Sequence, residues 1–255
     1  ETQGGTPRDV SSLRWISHGA SPCALEVLRR AHELFACELI HLYGATETAP
    51  IATIMRHEET LLDGPRAKSC GQPAPGVTIR IVDGAGAELP VDEVGEVAIK
   101  GPNVMVGYWN KPDQTASVLD GDGWYRSGDV GRMDAEGFVF LVDRAKDMIV
   151  SGGENVYCTE VEDVLYTHPG VLEATVFGIP DETWGEQVHA VVVPRPDHDL
   201  DASTLIEHCR GRIAGYKIPK SIDLQTEPLP KSGPGKVLKR VLRAPYWADR
   251  GTAIN

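Results

Sequence analysis

The stretch GWYRSGDVGRMDAEGFVFLVDRAKDMIVSGGENVYCTEVE, residues 123–162, decides how the chain is read. Charged and backbone-permissive positions alternate in it with short apolar runs. Asp129, Arg144 and Lys146 flank the apolar run 138–142, and the loop Ser151-Gly152-Gly153-Glu154 follows. Two adjacent glycines let backbone approach a ligand or another backbone closely. A carboxylate can accept both hydroxyls of a ribose, and a guanidinium can hold a second face or a phosphate. The same pattern also suits a solvated hairpin with a structural ion pair, and the flanking sequence has to separate the two.

Upstream, 13–17 reads as a strand and 22–35 as an amphipathic helix with Leu25, Leu28, Ala31 and Phe35 on one face. Ser21 is the expected N-cap, with Pro22 in the first turn. A strand at 39–42 completes a βαβ pattern, which predicts a parallel sheet with ligands beyond the carboxyl ends of its strands. Two loops fall there, His18-Gly19-Ala20-Ser21 and Tyr43-Gly44-Ala45-Thr46-Glu47. The second sets a hydroxyl and a carboxylate beside a glycine, which suits phosphate and magnesium; alone it equally suits a helix cap at Thr46 or Thr48.

From residue 71 the texture changes to short β-rich runs (78–82, 95–100, 138–142) broken by Gly, Pro and Asp turns, predicting a small distorted β-barrel or a distorted sheet. Asp83-Gly84-Ala85-Gly86 reads as a hairpin turn, and leucine at 89 removes the dinucleotide fingerprint. Beyond residue 146 the spacing predicts helices at 159–168, 201–214 and 236–244 and strands at 175–178, 187–193 and 221–224, a compact α+β unit. Leu229-Pro230-Lys231-Ser232-Gly233-Pro234-Gly235-Lys236 delivers a lysine on a stiff turn. It is not a Walker loop, because Pro230 stands where the first glycine belongs and Val237 replaces Ser or Thr.

The 255 residues, 41% apolar and 24% charged, suffice for one large domain or two ordinary ones. A net charge of -12 argues against a nucleic-acid partner. Five scattered cysteines without Cys-x-x-Cys spacing argue against disulfides and structural zinc. They fit a cytoplasmic protein, with peripheral contact at a membrane left open. There is no long apolar run for a transmembrane segment. The first residues, ETQGGTPRDV, read like the middle of a longer polypeptide.

Singly these motifs are weak; their order is not. YGATE (43–47), GEVAIKGPNVMVGYW (95–109), the stretch 123–162 and LPKSGPGK (229–236) together resemble the adenylate-forming, AMP-binding acyl-CoA synthetases. That superfamily also holds luciferase and the adenylation domains of peptide synthetases. The resemblance implies an acid–thiol ligase that joins a carboxylic acid to ATP, releases pyrophosphate, and passes the acyl group to coenzyme A. It implies an α/β plus α+β chain: residues 1–143 finish the large adenylation domain (about 1–66 the end of a parallel α/β sheet, 67–143 the barrel). Residues 144–146 would be a hinge and 147–255 a mobile lid.

By the same resemblance, Thr46 would contact phosphate and Glu47 would hold Mg2+. Gly19, Ala20, Ser21, Tyr43 and Gly44 would frame the adenine and acyl carbonyl. Asp129 would bind the ribose, with Arg144 beside it. Lys236 would bridge carboxylate and α-phosphate, Lys146 would be the hinge residue, and Gly152, Gly153 and Glu154 would line the coenzyme A path.

The sequence departs from the family at Cys158, where proline is commoner, and at Ser127 and Pro234, where threonine is usual. The family's Ser/Thr/Gly-rich phosphate loop would precede residue 1. The chain alone is therefore expected to be inactive, with the N-terminal half of the enzyme as its missing partner. Two alternatives stay open: an enzyme that loads a carrier protein, and a truncated nucleotide- or partner-binding module without chemistry.

Overall fold

The computed structural model describes residues 9–20, 23–57, 62–196, 198–233 and 235–248; Ser21, Pro22 and Pro234 lie outside the described residues. Strand β1 (Trp15–Gly19), helix α1 (Leu25–Phe35) and strand β2 (Glu38–Tyr43) form the expected parallel βαβ unit. Leu28 of α1 is buried with Leu39 of β2, while Leu25 and Ala31 pack against them. Beyond β2 the sheet turns antiparallel through β3 (Thr53–His57) and the short β4 (Gln72–Pro73).

The expected β-barrel is corrected by the second sheet. Strands β5 (Thr78–Val82), β6 (Gly95–Lys100), β7 (Tyr125–Met133) and β8 (Val139–Arg144) form an open antiparallel meander in sequence order. The short helix α2 (Pro112–Ala116) lies between β6 and β7. Closure would need β8 to pair with β5. Instead the outer flank of β8 is taken by the chain leading into β4: Cys70 N–H donates to Val139 O and Val139 N–H to Gly71 O, each at 2.9 Å. The start of β8 is thus paired with the chain before β4 and not with β5, and the sheet stays open.

The third sheet contains β9 (Ile149–Ser151), β10 (Glu154–Val156), β11 (Val171–Asp181), β12 (Gly185–Pro194) and β13 (Ser221–Leu224). Helices α3 (Cys158–Tyr166) and α4 (Ala202–Cys209) cover one face, where Leu165 and Leu205 meet Val176, Val188, Ala190 and Val192. The alternate residues Phe177, Ile179, Val191 and Val193 face the other way, toward Leu229 and the Leu242 and Tyr246 side chains of α5 (Lys239–Trp247). Burial on both faces explains the nearly unbroken apolar run of β12.

Helix boundaries differ from the pattern-based expectation at three places. Helix α1 starts at Leu25 with Ala24, which has no capping side chain, as its N-cap, rather than at 22 behind Ser21. Helix α4 stops at Cys209 because Arg210 is extended and Gly211 takes φ +72°. Helix α5 starts at Lys239 rather than 236, because a bridge between Lys231 and Val237 holds the preceding residues in a turn.

Helix α5 is anchored by charge as well as by apolar contact. Glu186 of β12 is 0% exposed; its Oε1 accepts from Arg243 of α5 at 2.5 Å and its Oε2 from the Val150 N–H at 3.0 Å. Tyr246 OH lies 3.0 Å from His189 Nε2, whose Nδ1 is 2.8 Å from Ser221 Oγ. Removing one member of a buried pair strands the other charge. Arg243→Leu is therefore expected to cost about 3–5 kcal/mol in urea unfolding; a wild-type midpoint would contradict this anchoring.

Candidate functional site

The β7–β8 register sets Asp129 opposite Arg144. Arg144 Nε lies 3.1 Å from Asp129 Oδ1, and Tyr43 at the end of β2 donates its hydroxyl to Asp129 Oδ2 at 2.8 Å. The Asp129 residue is only 8% exposed, so each carboxylate oxygen has a fixed partner where water is scarce. Burial, and then the charge of Asp129, push the Tyr43 phenol far above its ordinary range, so Tyr43 stays a donor. Ser127 caps the approach: its Oγ donates to Val97 O at 2.7 Å and accepts the Asp129 N–H at 3.1 Å.

The Tyr43–Glu47 loop is shaped by close backbone packing. A Cβ at residue 44 would lie 2.0 Å from Pro50 O, and one at residue 19 would lie 2.1 Å from Leu42 O, so both positions need glycine for packing alone. Residues 46–48 make a 3-10 turn, and Thr48, rather than Thr46, supplies the capping hydroxyl by accepting the Ala45 N–H at 2.9 Å. Thr46 is exposed. Glu47 Oε1 accepts the Tyr108 hydroxyl at 2.8 Å, while the Asn103 side-chain amide donates to Thr48 O and Ile51 O at 2.9 and 2.8 Å.

Ala45, Glu47, Tyr108, Gly128 and Arg144 line a cleft of about 470 Å3. Arg126 and Glu96 form an ion pair on its wall, and Glu96 Oε1 accepts the Gly128 N–H at 3.0 Å. Among the described residues no three metal-ligating side chains cluster. Glu47 thus offers a single carboxylate, which fits Mg2+ as it is usually held beside nucleotide phosphates, with phosphate oxygens and water completing the octahedron.

Lys236 is half-buried in the turn between Lys231 and Val237, where Ser232 N–H donates to Lys236 O at 2.8 Å. Burial, followed by the nearby Arg144 guanidinium, lowers the pKa of its ammonium, while Asp147 and Asp129 pull the other way. The lysine therefore stands in the electrostatic field of the Asp129–Arg144 pair. Lys146 is exposed in the turn after β8, where the Asp147 and Met148 N–H groups both donate to Arg144 O.

Gly152 and Gly153, at φ +61° and +85°, make the tight turn between β9 and β10. The Trp184 ring covers this turn so closely that a Cβ at residue 152 would come 2.6 Å from a ring carbon. Glu154 is exposed opposite Ser151. Ala20 is left-handed at φ +65°.

The structure thus joins Tyr43, Asp129 and Arg144 in direct contact, sets Glu47 in the same cleft, and brings Lys236 into their field. Of the expected site residues only Glu47 and Arg144 line that cleft, and Asp129 adjoins it through its pairing with Arg144. Gly19, Ala20, Tyr43, Gly44, Thr46, Lys146, Gly152–Glu154 and Lys236 do not line it, and Ser21 lies outside the described residues. Sequence reasoning missed the polar supports Asn103, Tyr108, Glu96 and Arg126. Glu96, Asn103 and Tyr108 lie within the quoted run 95–109 and Arg126 within 123–162, but nothing in the spacing marks their partners. Tyr43→Phe would leave the buried Asp129 with one partner fewer, an expected loss of about 1–3 kcal/mol. Denaturant unfolding unchanged from wild type would contradict this.

A model of the AMP-binding enzyme family matches residues 2–109, and a model of the AMP-binding enzyme C-terminal domain matches residues 160–236. The chain is 40% identical over 248 residues to a fatty acid–[acyl-carrier-protein] ligase, ScoC, of Streptomyces coeruleorubidus, covering 97% of this chain and 47% of that protein. It is 42% identical over 235 residues to a feruloyl-CoA synthase of an Amycolatopsis species, covering 92% and 47%.

The crystal structure of ATP-bound MatB from Rhodopseudomonas palustris matches with TM-score 0.81 at 35% identity, over 90% of this chain and 45% of that one. Apo MatB matches less well, with TM-score 0.68 over 91% and 45%. The chain spans about half the length of the curated relatives it matches.

Proposed function

The chain belongs to the AMP-binding enzyme family, and from that premise we propose that it supplies the C-terminal half of an AMP-forming acid–thiol ligase. In the first half-reaction a carboxylate oxygen attacks the α-phosphorus of ATP, and the α–β bridging bond breaks to release pyrophosphate. In the second a thiolate attacks the acyl carbonyl and AMP leaves with the bonding pair. The observation that carries this reading is the cleft lined by Glu47 and by Arg144, whose guanidinium is held by the buried Asp129 carboxylate.

In this reading Asp129 accepts the ribose hydroxyls, with Tyr43 and Arg144 holding its carboxylate in place, and Gly19, Ala20, Ser21 and Gly44 border the adenine and acyl groups. Thr46 offers its exposed hydroxyl to phosphate. Glu47 would hold a Mg2+ ion, which when bound neutralises phosphate charge. Lys236 stabilises the negative charge that builds between carboxylate and α-phosphate, in a site partly shielded from water. Its lowered pKa leaves less distance between the charged state and neutral pH, but the developing anion favours the ammonium.

Residues 1–143 would belong to the adenylation body, 144–146 with Lys146 to a hinge, and 147–255 to a lid. Rotation of such a lid would withdraw Lys236 and bring Gly152, Gly153 and Glu154 to the thiol's path, one element serving two steps in turn. A fatty or related carboxylic acid is the proposed acyl donor and coenzyme A the acceptor, in a cytoplasmic enzyme. The ScoC relative favours a second reading, in which the thiol belongs to a carrier protein.

Acid-dependent pyrophosphate release by the full-length protein, with a panel of carboxylic acids and with coenzyme A or a carrier protein as acceptor, is the test. Release that depends on no acid would overturn the ligase reading, and the acceptor arm separates the two thiols. In the same protein Lys236→Ala is expected to lower acyl-adenylate formation about 100- to 1,000-fold, the scale for a lost transition-state donor. Turnover of preformed adenylate should survive; loss of both steps would contradict the role of Lys236.

A further inference from the structure

The turn that carries Lys236 is tied down at both ends by carboxylates of the third sheet and its helices. At its entry Glu173 of β11 accepts the Leu229 N–H at 2.9 Å and pairs with Lys231. At its exit Lys239, the first residue of α5, places Nζ 2.8 Å from Glu162 Oε1 of α3. That oxygen also accepts the Val176 N–H at 2.8 Å and the Thr175 hydroxyl at 3.2 Å, so β11 fixes Glu162 in turn.

The two ties differ in kind. Lys231 is an exposed partner, and such pairs hold little. The Lys239 and Glu162 side chains are only 19% and 15% exposed, so neither can leave without stranding the other's charge. Burial alone would pull the Lys239 ammonium down, but Glu162, Cys158 and Asp143 more than offset it and hold it above its ordinary range. Asp143 is itself fixed there, its Oδ2 accepting the Cys158 N–H at 2.5 Å and its Oδ1 the Arg144 N–H at 2.8 Å. Between its two ends the turn rests on its own hydrogen bonds, Ser232 to Lys236 and Gly235 to Ser232, and on the Val237 side chain packed against the cluster of Phe177, Val191 and Leu229, neither of which fixes the direction in which α5 leaves the turn.

We propose that Lys239 is a positioning residue: its buried ion pair with Glu162 fixes the exit of the turn and so sets where Lys236 meets the reacting carboxylate and α-phosphate. The proposal rests on the role given to Lys236 above. Lys239 and Glu162 both follow the proposed hinge, so the pair would travel with the lid. Its loss should harm the step that needs Lys236 in the site and spare the step that needs it withdrawn.

The test uses the full-length enzyme with Lys239→Met, Lys239→Arg and Glu162→Gln. Acid-dependent pyrophosphate exchange reads the first half-reaction; thioester formation from preformed acyl-adenylate reads the second. Lys239→Met and Glu162→Gln are expected to lower kcat for adenylation about 10- to 100-fold, the scale of a catalytic group displaced by about 1 Å. The KM for ATP and the second half-reaction should stay within about threefold, because neither depends on transition-state contact with Lys236. Lys239→Arg, which keeps the charge, should restore most of the rate.

Unchanged adenylation in Lys239→Met, or equal losses in both half-reactions, would overturn the proposal. Glu162→Gln keeps the acceptor for Val176 and decides by the same split if Lys239→Met fails to fold. A wild-type enzyme that adenylates no acid would instead overturn the functional reading on which the proposal stands.

Discussion

The carboxylate of Asp129 is the point at which the separate sheets become one site. It lies on the second sheet, takes a hydrogen bond from Tyr43 of the first, and pairs with Arg144 at the last residue of β8. Each partner satisfies a different oxygen. A buried carboxylate deprived of either would lose part of the hydrogen bonding that offsets its burial, so the three segments hold one another in register. The cleft beside it exists because that register is fixed. Gly44 and Gly19 serve the same end from below, by letting backbone pack at distances that no side chain would permit.

Beyond Arg144 the chain solves a different problem: how to hold a loop accurately on a small sheet. Apolar packing covers both faces of β11 and β12 but does not orient α5 by itself. The orientation comes from buried ionic contacts, Glu186 with Arg243 and Glu162 with Lys239. Asp143 links this set back to β8 by capping the first N–H of α3 at Cys158. The residue choice at 158 matters here. A proline, commoner at that position in the family, suits the first turn of a helix but has no N–H to give to Asp143. This chain therefore has one contact across the Arg144–Asp147 turn that a proline would remove.

The local architecture was legible in the sequence where periodicity and punctuation agreed. The βαβ unit of residues 15–43 follows from its apolar pattern, and β5, β6 and β13 fall where alternation between turns puts them. What failed depended on pairings that the apolar pattern does not record, one of them distant in sequence and two local. Nothing in residues 138–142 says that Cys70 and Gly71 will take the outer flank of β8, so an open meander read as a barrel. The first turn of α5 was misjudged because the Lys231–Val237 bridge competes with it, and the end of α4 because Gly211 was not weighed as a terminator. The candidate site was legible mainly through the resemblance, since Tyr43 and Asp129 are 86 residues apart and no spacing rule joins them. Their hydrogen bond, like those of Asn103 and Tyr108, belongs to the fold.

The central claim is that this braced carboxylate reads the ribose of a nucleotide. The direct measurement is equilibrium binding of ATP and of 2′,3′-dideoxy-ATP to the full-length protein, wild type and Asp129→Asn. Hydrogen bonds to a charged group contribute about 1.5–3 kcal/mol, which predicts a wild-type preference for ATP of about tenfold or more. In Asp129→Asn that preference should shrink to a small residue. An Asp129→Asn protein that still discriminates between the two nucleotides as the wild type does would contradict the account.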